Sequence, residues 1–396
     1  MAAMAQDDEV GDEGRTPERL PKAFYALYYG AGACLFPFVP LYYDQIGLNG
    51  DQIGLLAGIP SAMVLIGGAL WGGLADATGR HRTVLLLAIG GSIALSQLLP
   101  HLSAFFWLIP LVFFMAFFMS PIVPLVDHSV LEMLGGRRAR YGKVRMWGAV
   151  GWGTVGPLVG WVVERSHLDW AFRSYGLLMA LCLLVVVYLP VHAAAPQEPL
   201  RGRLREILSD RRWHLFLLLA FTGGVGLGFA HHYLFLYMDE LGASRAVMGW
   251  ALSVATLSEL VAFALAERAM QRWGARTLLV VGLLASALRL LAYSLATEPL
   301  HALCVQLLHG PSFALMWMAG VSWANRIAPP GTGATAQSLF GGVNFGLGGT
   351  AAALAGGALL ERVGAAAMYK WGALSVLVGL VVYGVAERAV GRVEEA

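Results

Sequence analysis

The sequence predicts an all-α integral membrane protein with twelve transmembrane helices, and composition, the length of apolar runs and the placement of cations support this prediction. The chain has 396 residues, of which 58% are hydrophobic and only 13% are charged. Soluble domains carry about 25% charged residues, so this composition, with a mean hydropathy of +0.65, is typical of a chain whose solvent is lipid. Apolar runs recur along the chain, and each has the roughly 20 residues that cross a hydrocarbon core about 30 Å thick.

Each apolar run is predicted as one helix, and a polar segment divides the helices into two sets of six. The predicted helices span 22–43, 52–75, 83–100, 103–131, 141–163, 170–191, 213–238, 246–267, 276–296, 300–325, 334–360 and 365–387. The predicted organisation is a disordered tail (1–21), a first bundle (22–191), a linker (192–212), a second bundle (213–388) and a second tail (389–396).

Lysines and arginines cluster in alternate connections between the predicted helices. They are concentrated around 15–22, 80–82, 137–143 and 201–212, whereas the connections at 44–51 and 100–103 contain none. Because cationic residues in short loops are retained in the cytoplasm, both termini are predicted to be cytoplasmic and the protein to lie in the inner (cytoplasmic) membrane. The first 20 residues lack the apolar segment of a signal peptide.

The two predicted bundles contain a short sequence echo. Residues 74–76, Leu-Ala-Asp, precede Arg80 and Arg82, and residues 265–267, Leu-Ala-Glu, precede Arg272 and Arg276. An equal topology in both halves gives a parallel repeat about an axis along the membrane normal, as expected of transporters that rock two bundles around a central site. The three cysteines, Cys34, Cys182 and Cys304, lie in apolar runs and are expected to pack in the core.

Ionisable residues inside the predicted helices are candidates for function, because burying one at the bilayer centre costs at least about 2.5 kcal/mol. Asp127, near the end of the fourth helix, and Arg145, near the start of the fifth, fall at matching depth and can pair across the hairpin. Either they form a permanent structural ion pair, or the guanidinium receives a carboxylate or hydroxyls of a substrate.

A second set of polar residues reaches a common depth in the second bundle. Glu259, Arg289 and His309 lie on three helices near the bilayer centre, which suits a polar substrate site or a proton relay because His titrates near neutrality. The alternative is a closed Glu259–Arg289 pair with His309 satisfied by a backbone carbonyl. His231 and His232 are adjacent and point about 100° apart on a helix, so only one can face a central site, and we assign His232 to it.

Enzyme signatures are absent from the sequence: it contains no P-loop, zinc-ligand spacing, nucleophile elbow or nucleotide fingerprint. We therefore predict that the protein is not an enzyme and uses no cofactor, metal or nucleic acid. Without an ATP site, transport has to be driven by a gradient.

Several segments resemble the major facilitator superfamily, and within it the lactose permease-like branch of oligosaccharide, nucleoside and phenylpropionate proton symporters. Residues 73–82, GLADATGRHR, look like the superfamily's motif between the second and third helices, and residues 36–40, FPFVP, are similar to the first helix of the branch. The resemblance implies a fold of two six-helix bundles. It also implies that Asp76, Arg80 and Arg82 latch the cytoplasmic side in one conformation.

The most specific resemblance is at residues 141–152, YGKVRMWGAVGW. It implies that Arg145 binds hydroxyls of the substrate, that Trp152 stacks on its ring and that Asp127 completes this part of the site. By the same resemblance Glu259 matches the branch's helix 8 carboxylate, Arg289 its helix 9 arginine and His309 its helix 10 histidine.

The chain departs from the lactose permease beside this histidine, because Gln306 and Ser312 stand where that permease has a lysine and a proton-carrying glutamate. If transport is coupled to protons, Glu259, Asp127 or His309 must titrate instead. The resemblance implies a monomeric secondary transporter in the lipid bilayer that moves a sugar, nucleoside or aromatic acid together with protons by alternating access. An uncoupled facilitator, a multidrug efflux transporter and a non-transporting assembly or receptor protein are the alternatives.

Overall fold

The computed structural model describes residues 16–191 and 206–394, and in these two ranges the regular secondary structure is helical throughout. The twelve long helical segments are α1 (Thr16–Leu35 and Val39–Gln45), α2 (Gly50–Thr78), α3 (His81–Leu98), α4 (Phe105–Met119 and Ile122–Leu134), α5 (Tyr141–Arg145 and Trp147–Arg165), α6 (Asp169–Tyr188), α7 (Arg211–Glu240), α8 (Arg245–Trp273), α9 (Ala275–Ser294), α10 (Pro299–Val305 and His309–Ile327), α11 (Gly333–Gly341 and Gly349–Val363) and α12 (Ala365–Glu394). The predicted all-α fold is confirmed.

Eleven of the described segments are long and apolar enough to cross a membrane. The segment outside this set is α5, whose part Trp147–Arg165 is rich in glycine and tryptophan. Since α5 packs lengthwise against α1 and α8, it takes the place of the predicted fifth transmembrane helix.

The chain ends differ most from the predicted bounds. α1 begins at Thr16, so residues 16–21 of the predicted tail are helical. Glu18 holds this first turn, since its carboxylate pairs with Lys22 at 2.9 Å and with Arg140, in the connection between α4 and α5, at 3.0 Å. Residues 1–15 and 192–205, which include most of the predicted linker, lie outside the described residues.

The last helix also extends beyond its predicted end. α12 continues to Glu394, so most of the predicted tail 389–396 is helical. Glu387 forms an ion pair with Arg276 at the start of α9 and accepts a hydrogen bond from Tyr383 at 2.9 Å. The ion pair holds this end of α12 against α9. The hydropathy of the segment does not reveal such a contact, so the predicted helix ended too early.

Several spans are interrupted. α1 breaks at Pro37 and α4 at Pro121, because proline lacks the N–H that would continue the hydrogen-bonded ladder. In α11 the two α-helical parts are joined by a π-helix, Gly342–Gly348. Its Asn344 is fully buried and donates a hydrogen bond to the carbonyl of Ala220 in α7 at 2.9 Å.

The two bundles, α1–α6 and α7–α12, meet along two interfaces, α5 with α8 and α2 with α11. Glycines allow the backbones to approach, as is common between membrane helices. A Cβ atom at Gly156 of α5 would lie 2.9 Å from the carbonyl oxygen of Gly249 in α8, and one at Gly50 of α2 would lie 2.5 Å from that of Gly357 in α11.

Two faces of the molecule can be distinguished by their connections. The face with the α2–α3, α4–α5 and α8–α9 connections carries the arginine clusters, and we call it the basic face. The face with the α1–α2, α7–α8 and α11–α12 connections is here called the opposite face. The helices run between these two faces, and α1 begins and α12 ends at the basic face.

The bundles are joined at the opposite face by two reciprocal contacts, in which a glutamate of each bundle caps a helix of the other. Glu164, at the end of α5, accepts a hydrogen bond from the N–H of Ala246 at the start of α8, at 2.8 Å. Glu361, near the end of α11, accepts one from the N–H of Gly50 at the start of α2, at 2.7 Å. Free N–H groups and the helix dipole make a helix N-terminus a favourable place for a carboxylate. We call these two contacts the reciprocal caps.

Within the described ranges, the remaining hydrogen bonds between bundles are also remote from the basic face. Arg362 donates to Asp51 at 3.3 Å, and Ser253 donates to the carbonyl of Gly153 at 2.5 Å. Near the basic face, a Cβ atom added at Gly72 or Gly73 of α2 would meet no other atom within 4 Å. Among the residues that the structure describes, the bundles are therefore hydrogen-bonded at the opposite face and not at the basic face, and we take this conformation to be open toward the basic face.

Candidate functional site

The first bundle contributes a cluster around Asp127 of α4 and Arg145 of α5. Arg145 Nε lies 3.8 Å from Asp127 Oδ1, so the predicted pairing across the hairpin is confirmed. Two tyrosines of α1 complete the cluster: Tyr25 donates to Asp127 Oδ1 at 2.6 Å, and Tyr29 accepts a hydrogen bond from Arg145. The guanidinium also lies over the Tyr29 ring, 4.3 Å from its centroid.

This ion pair is loose, and its members are partly exposed. A separation of 3.8 Å exceeds that of a hydrogen bond, and the side chains of Asp127 and Arg145 are 27% and 32% exposed. A guanidinium has five N–H donors, and the contacts with Asp127 and Tyr29 leave some of them for another acceptor. The cluster can therefore bind a carboxylate, hydroxyl or carbonyl group that enters from the opening.

The second bundle contributes a tighter network around Arg289 of α9, which is only 5% exposed. Arg289 donates to His309 Nδ1 at 2.9 Å, to Gln306 Oε1 at 2.8 Å and to the hydroxyl of Tyr293 at 3.2 Å. On the other side of the imidazole, His309 Nε2 lies 3.6 Å from Glu259 Oε2 of α8. The three residues predicted to converge do meet, in the order Glu259, His309, Arg289.

The network fixes the protonation of His309. A guanidinium can only donate hydrogen bonds, so the Nδ1 atom that faces Arg289 must be the acceptor. The imidazole is then neutral, with its proton on Nε2, the nitrogen that faces Glu259. The alternative of a closed Glu259–Arg289 pair, with His309 bonded to a backbone carbonyl, is wrong, because the imidazole itself lies between the two charges.

Two further side chains contact Arg289: Gln306, noted in the sequence only as a departure from the lactose permease, and Tyr293, which the sequence did not single out. Gln306 is 1% exposed and occupies the position of the lactose permease lysine. Its side-chain oxygen accepts from Arg289, which a lysine at that position would repel. Tyr293 follows Arg289 by four residues, so both lie on one face of α9. This spacing is the sequence signal from which the contact between Tyr293 and Arg289 could have been predicted.

The structure places His231, and not His232, opposite Trp152. The rings of Trp152 in α5 and His231 in α7 are nearly parallel, with centroids 6.2 Å apart and an interplanar angle of 24°. His232 instead lies beside the backbone of Gly349 in α11. Since Gly224 and Gly228 precede His232 by eight and four residues, all three lie on the face of α7 that packs on α11. This glycine spacing was a signal that His232 faces α11, and the role of His232 in a solute site stays a prediction.

The residues predicted as a latch lie at the open basic face. Asp76 is bonded to His81 Nε2 at 2.9 Å. Arg80 and Arg82 are exposed, and no ion pair of either arginine occurs within the part of the chain that the structure describes. Asp76 therefore pairs with His81 in this conformation, and the latch role of Asp76, Arg80 and Arg82 stays a prediction.

A family model described as the MFS_1 like family matches residues 20–371. The chain belongs to this family of the major facilitator superfamily. Maltose permease of Geobacillus stearothermophilus is 28% identical to this major facilitator over 327 residues, which cover 82% of the chain and 83% of that protein. The probable 3-phenylpropionic acid transporter of Escherichia coli (strain K12) is 24% identical, over 76% of the chain and 80% of that protein.

Solved structures show the same fold. The nucleoside transporter NupG superposes on this major facilitator with a TM-score of 0.80 and 15% identity, over 93% of the chain and 98% of that protein. A D-xylose-proton symporter gives a TM-score of 0.68 and 15% identity, over 91% and 95%. The protein is thus a multi-pass membrane protein and a secondary transporter, and it is not an enzyme.

Proposed function

We propose that this major facilitator is a proton-coupled symporter of a small polar or ring-bearing organic solute, and that it works by alternating access in the cytoplasmic membrane. The main support is that each bundle contributes a charged cluster, the partly exposed pair Asp127 and Arg145 in one and the network from Glu259 to Arg289 in the other, while Trp152 and His231 stack from opposite bundles. We place the solute between the two clusters. A solute bound there contacts both bundles, so its binding energy depends on their relative orientation. A ligand shifts a conformational equilibrium only through such differential contacts.

The placement of cations supports an orientation with the basic face in the cytoplasm. Both termini are then cytoplasmic, and a conformation open toward the basic face corresponds to the inward-open one. In the outward-open conformation the bundles would separate at the reciprocal caps and close near Asp76, Arg80 and Arg82, where the latch is expected.

Glu259 is the carboxylate that we assign to proton coupling. Asp127, Arg145, Glu259 and Arg289 together carry no net charge when all four are ionised. Protonation of Glu259 removes the negative charge that faces the Nε2–H of His309, and the buried Arg289 is then uncompensated. An acceptor group of the solute restores the balance, so protonation favours solute binding. His309 is less suited to carry the proton, because Arg289 occupies its Nδ1 atom.

The relatives are consistent with a small organic solute but differ in its nature. Their names specify maltose, melibiose and 3-phenylpropionic acid, and the solved structures include a nucleoside transporter and a D-xylose-proton symporter. A sugar, a nucleoside and an aromatic acid are therefore the classes to test. Two carboxylates and two arginines balance in the proposed site, and protonation of Glu259 leaves one positive charge in excess. This favours a neutral or anionic solute over the lipophilic cations expected of an efflux transporter.

Uptake into proteoliposomes tests this proposal. With an inward-directed proton gradient, the parent should accumulate maltose, adenosine or 3-phenylpropionate. Glu259→Gln should abolish accumulation but keep solute exchange across the membrane, because the amide cannot release a proton. Glu298→Gln, on an exposed glutamate at the start of α10, is the matched control and should behave as the parent.

Asp127→Asn and Arg145→Lys should weaken solute binding itself, since they alter the first-bundle cluster. Accumulation by the parent that does not respond to the proton gradient would refute coupling. Gradient-driven accumulation by Glu259→Gln would refute the assignment of the carboxylate.

A further inference from the structure

We propose that His231 supplies a second wall opposite Trp152, the residue already expected to stack on the solute, and that the two rings form a ring clamp that selects solutes with a flat unsaturated ring. The inference deepens the proposed function, since it concerns the solute of the same central site. Nucleobases and aryl carboxylates contain such a flat ring, and saturated sugars do not.

The two rings belong to different bundles, and neither is fully buried. Trp152 lies on α5 and is half-buried, whereas His231 lies on α7 and is exposed. Behind the indole is Gly32 of α1, where an added Cβ atom would lie 3.1 Å from Trp152 Cζ3. A larger residue at position 32 would displace the indole, so the glycine sets the position of the ring against the first bundle.

The separation of the rings suits a thin guest. Stacked carbon atoms are in optimal contact at about 3.5–4.0 Å, so a flat ring between two others needs roughly 7–8 Å. The Trp152 and His231 centroids are 6.2 Å apart. An opening of about 1–2 Å therefore admits a planar ring, and a puckered pyranose needs a wider one. Because the rings lie on different bundles, the width of the clamp changes as the bundles move.

Polar groups flank the clamp on both sides. Arg145 precedes Trp152 by seven residues, or about two turns of α5, so it lies on the same face of the helix. His231 lies within electrostatic range of His309 and Arg289. The clamp is thus accompanied by hydrogen-bond donors in each bundle. The solute that fits therefore combines a flat ring with acceptor oxygens or nitrogens, or with a carboxylate.

Equilibrium binding to the purified full-length protein in nanodiscs tests the clamp with three probes: adenosine, 3-phenylpropionate and maltose. His231→Leu and Trp152→Leu remove a ring, whereas His231→Phe keeps one. Loss of one stacking partner should weaken binding of the flat-ring probe about 5- to 150-fold, and His231→Phe should restore most of it. His214→Leu, the same change at an exposed position of α7, should leave affinity unchanged.

The proposal is overturned if His231→Phe binds the flat-ring probe as weakly as His231→Leu, or if the parent binds maltose and neither flat-ring probe. Thermal unfolding of each variant separates a loss of affinity from a loss of folding. Because the binding assay uses no gradient, the two proposals can fail separately. If binding depends on the His231 ring but no uptake is driven by protons, symport is refuted and the clamp is supported. If maltose uptake is driven by protons and does not change in His231→Leu, the clamp is refuted and symport is supported.

Discussion

The reciprocal caps should set part of the energy difference between the two conformations of the transporter. Both exist only while the opposite face is closed, because each joins a carboxylate of one bundle to a helix N-terminus of the other. A side-chain cap is worth about 0.5–2 kcal/mol. Since Glu164 and Glu361 are exposed to solvent, we take about 1 kcal/mol for each. Replacing both by alanine should therefore destabilise the closed opposite face by about 2 kcal/mol, roughly a 30-fold change in the ratio of the conformations.

Spin-label distance measurements across the opposite face can detect this shift. Labels at Gln45, near the end of α1, and at Glu240, at the end of α7, report on opposite bundles from exposed positions. In Glu164→Ala/Glu361→Ala the long-distance population should grow, and each single variant should give about a 5-fold change. Glu298→Ala removes an exposed glutamate at the start of α10 that makes no side-chain cap, so it serves as the control.

An unchanged distance distribution in the double variant would refute the reasoning. It would show that the other contacts between the bundles, the glycine contacts and the Arg362–Asp51 pair among them, are enough to hold this face closed. An equal shift in Glu298→Ala would also count against it, because the effect would then follow from surface charge and not from the caps.

Two further substitutions test the packing of the site. Arg289→Met leaves the buried Gln306 amide oxygen, the buried Tyr293 hydroxyl and the partly buried His309 Nδ1 without their donor. It should lower the free energy of unfolding by about 1–3 kcal/mol, seen as a lower Tm, and an unchanged Tm would contradict the network. Gly224→Ala places a methyl group on the carbonyl of Asn344 and should cost about 1–3 kcal/mol in the same assay. Gly72→Ala is the control, because a Cβ atom there meets nothing within 4 Å, and it should leave the free energy of unfolding unchanged or raise it. Equal effects of the two substitutions would refute the tight α7–α11 contact.

The length and polarity of the apolar runs were enough to predict the helices, because the bilayer imposes a length on every span. The chain ends were missed for a physical reason: Glu18 and Glu387 anchor polar turns through ion pairs with residues 122 and 111 positions away in sequence. Hydropathy does not report such partners. The π-helix of α11 likewise depends on how Asn344 fits against α7.

For the candidate site, depth counting placed Asp127 beside Arg145 and grouped Glu259 with Arg289 and His309. It could not predict the order within that group, because order depends on helix rotation as well as depth. The position of His309 between the two charges, and its tautomer, follow only from the hydrogen bonds.

The reciprocal caps also bear on the symmetry of the molecule. In a six-helix repeat α5 corresponds to α11 and α2 to α8, so the two caps are the same contact made twice, as in an isologous interface between identical subunits. Two copies of one bundle would already have possessed both contacts. Closure of the opposite face is in this sense a property of the repeat unit itself. The two halves of the candidate site, Asp127 with Arg145 in one bundle and Glu259 with His309 and Arg289 in the other, are where the repeats have diverged.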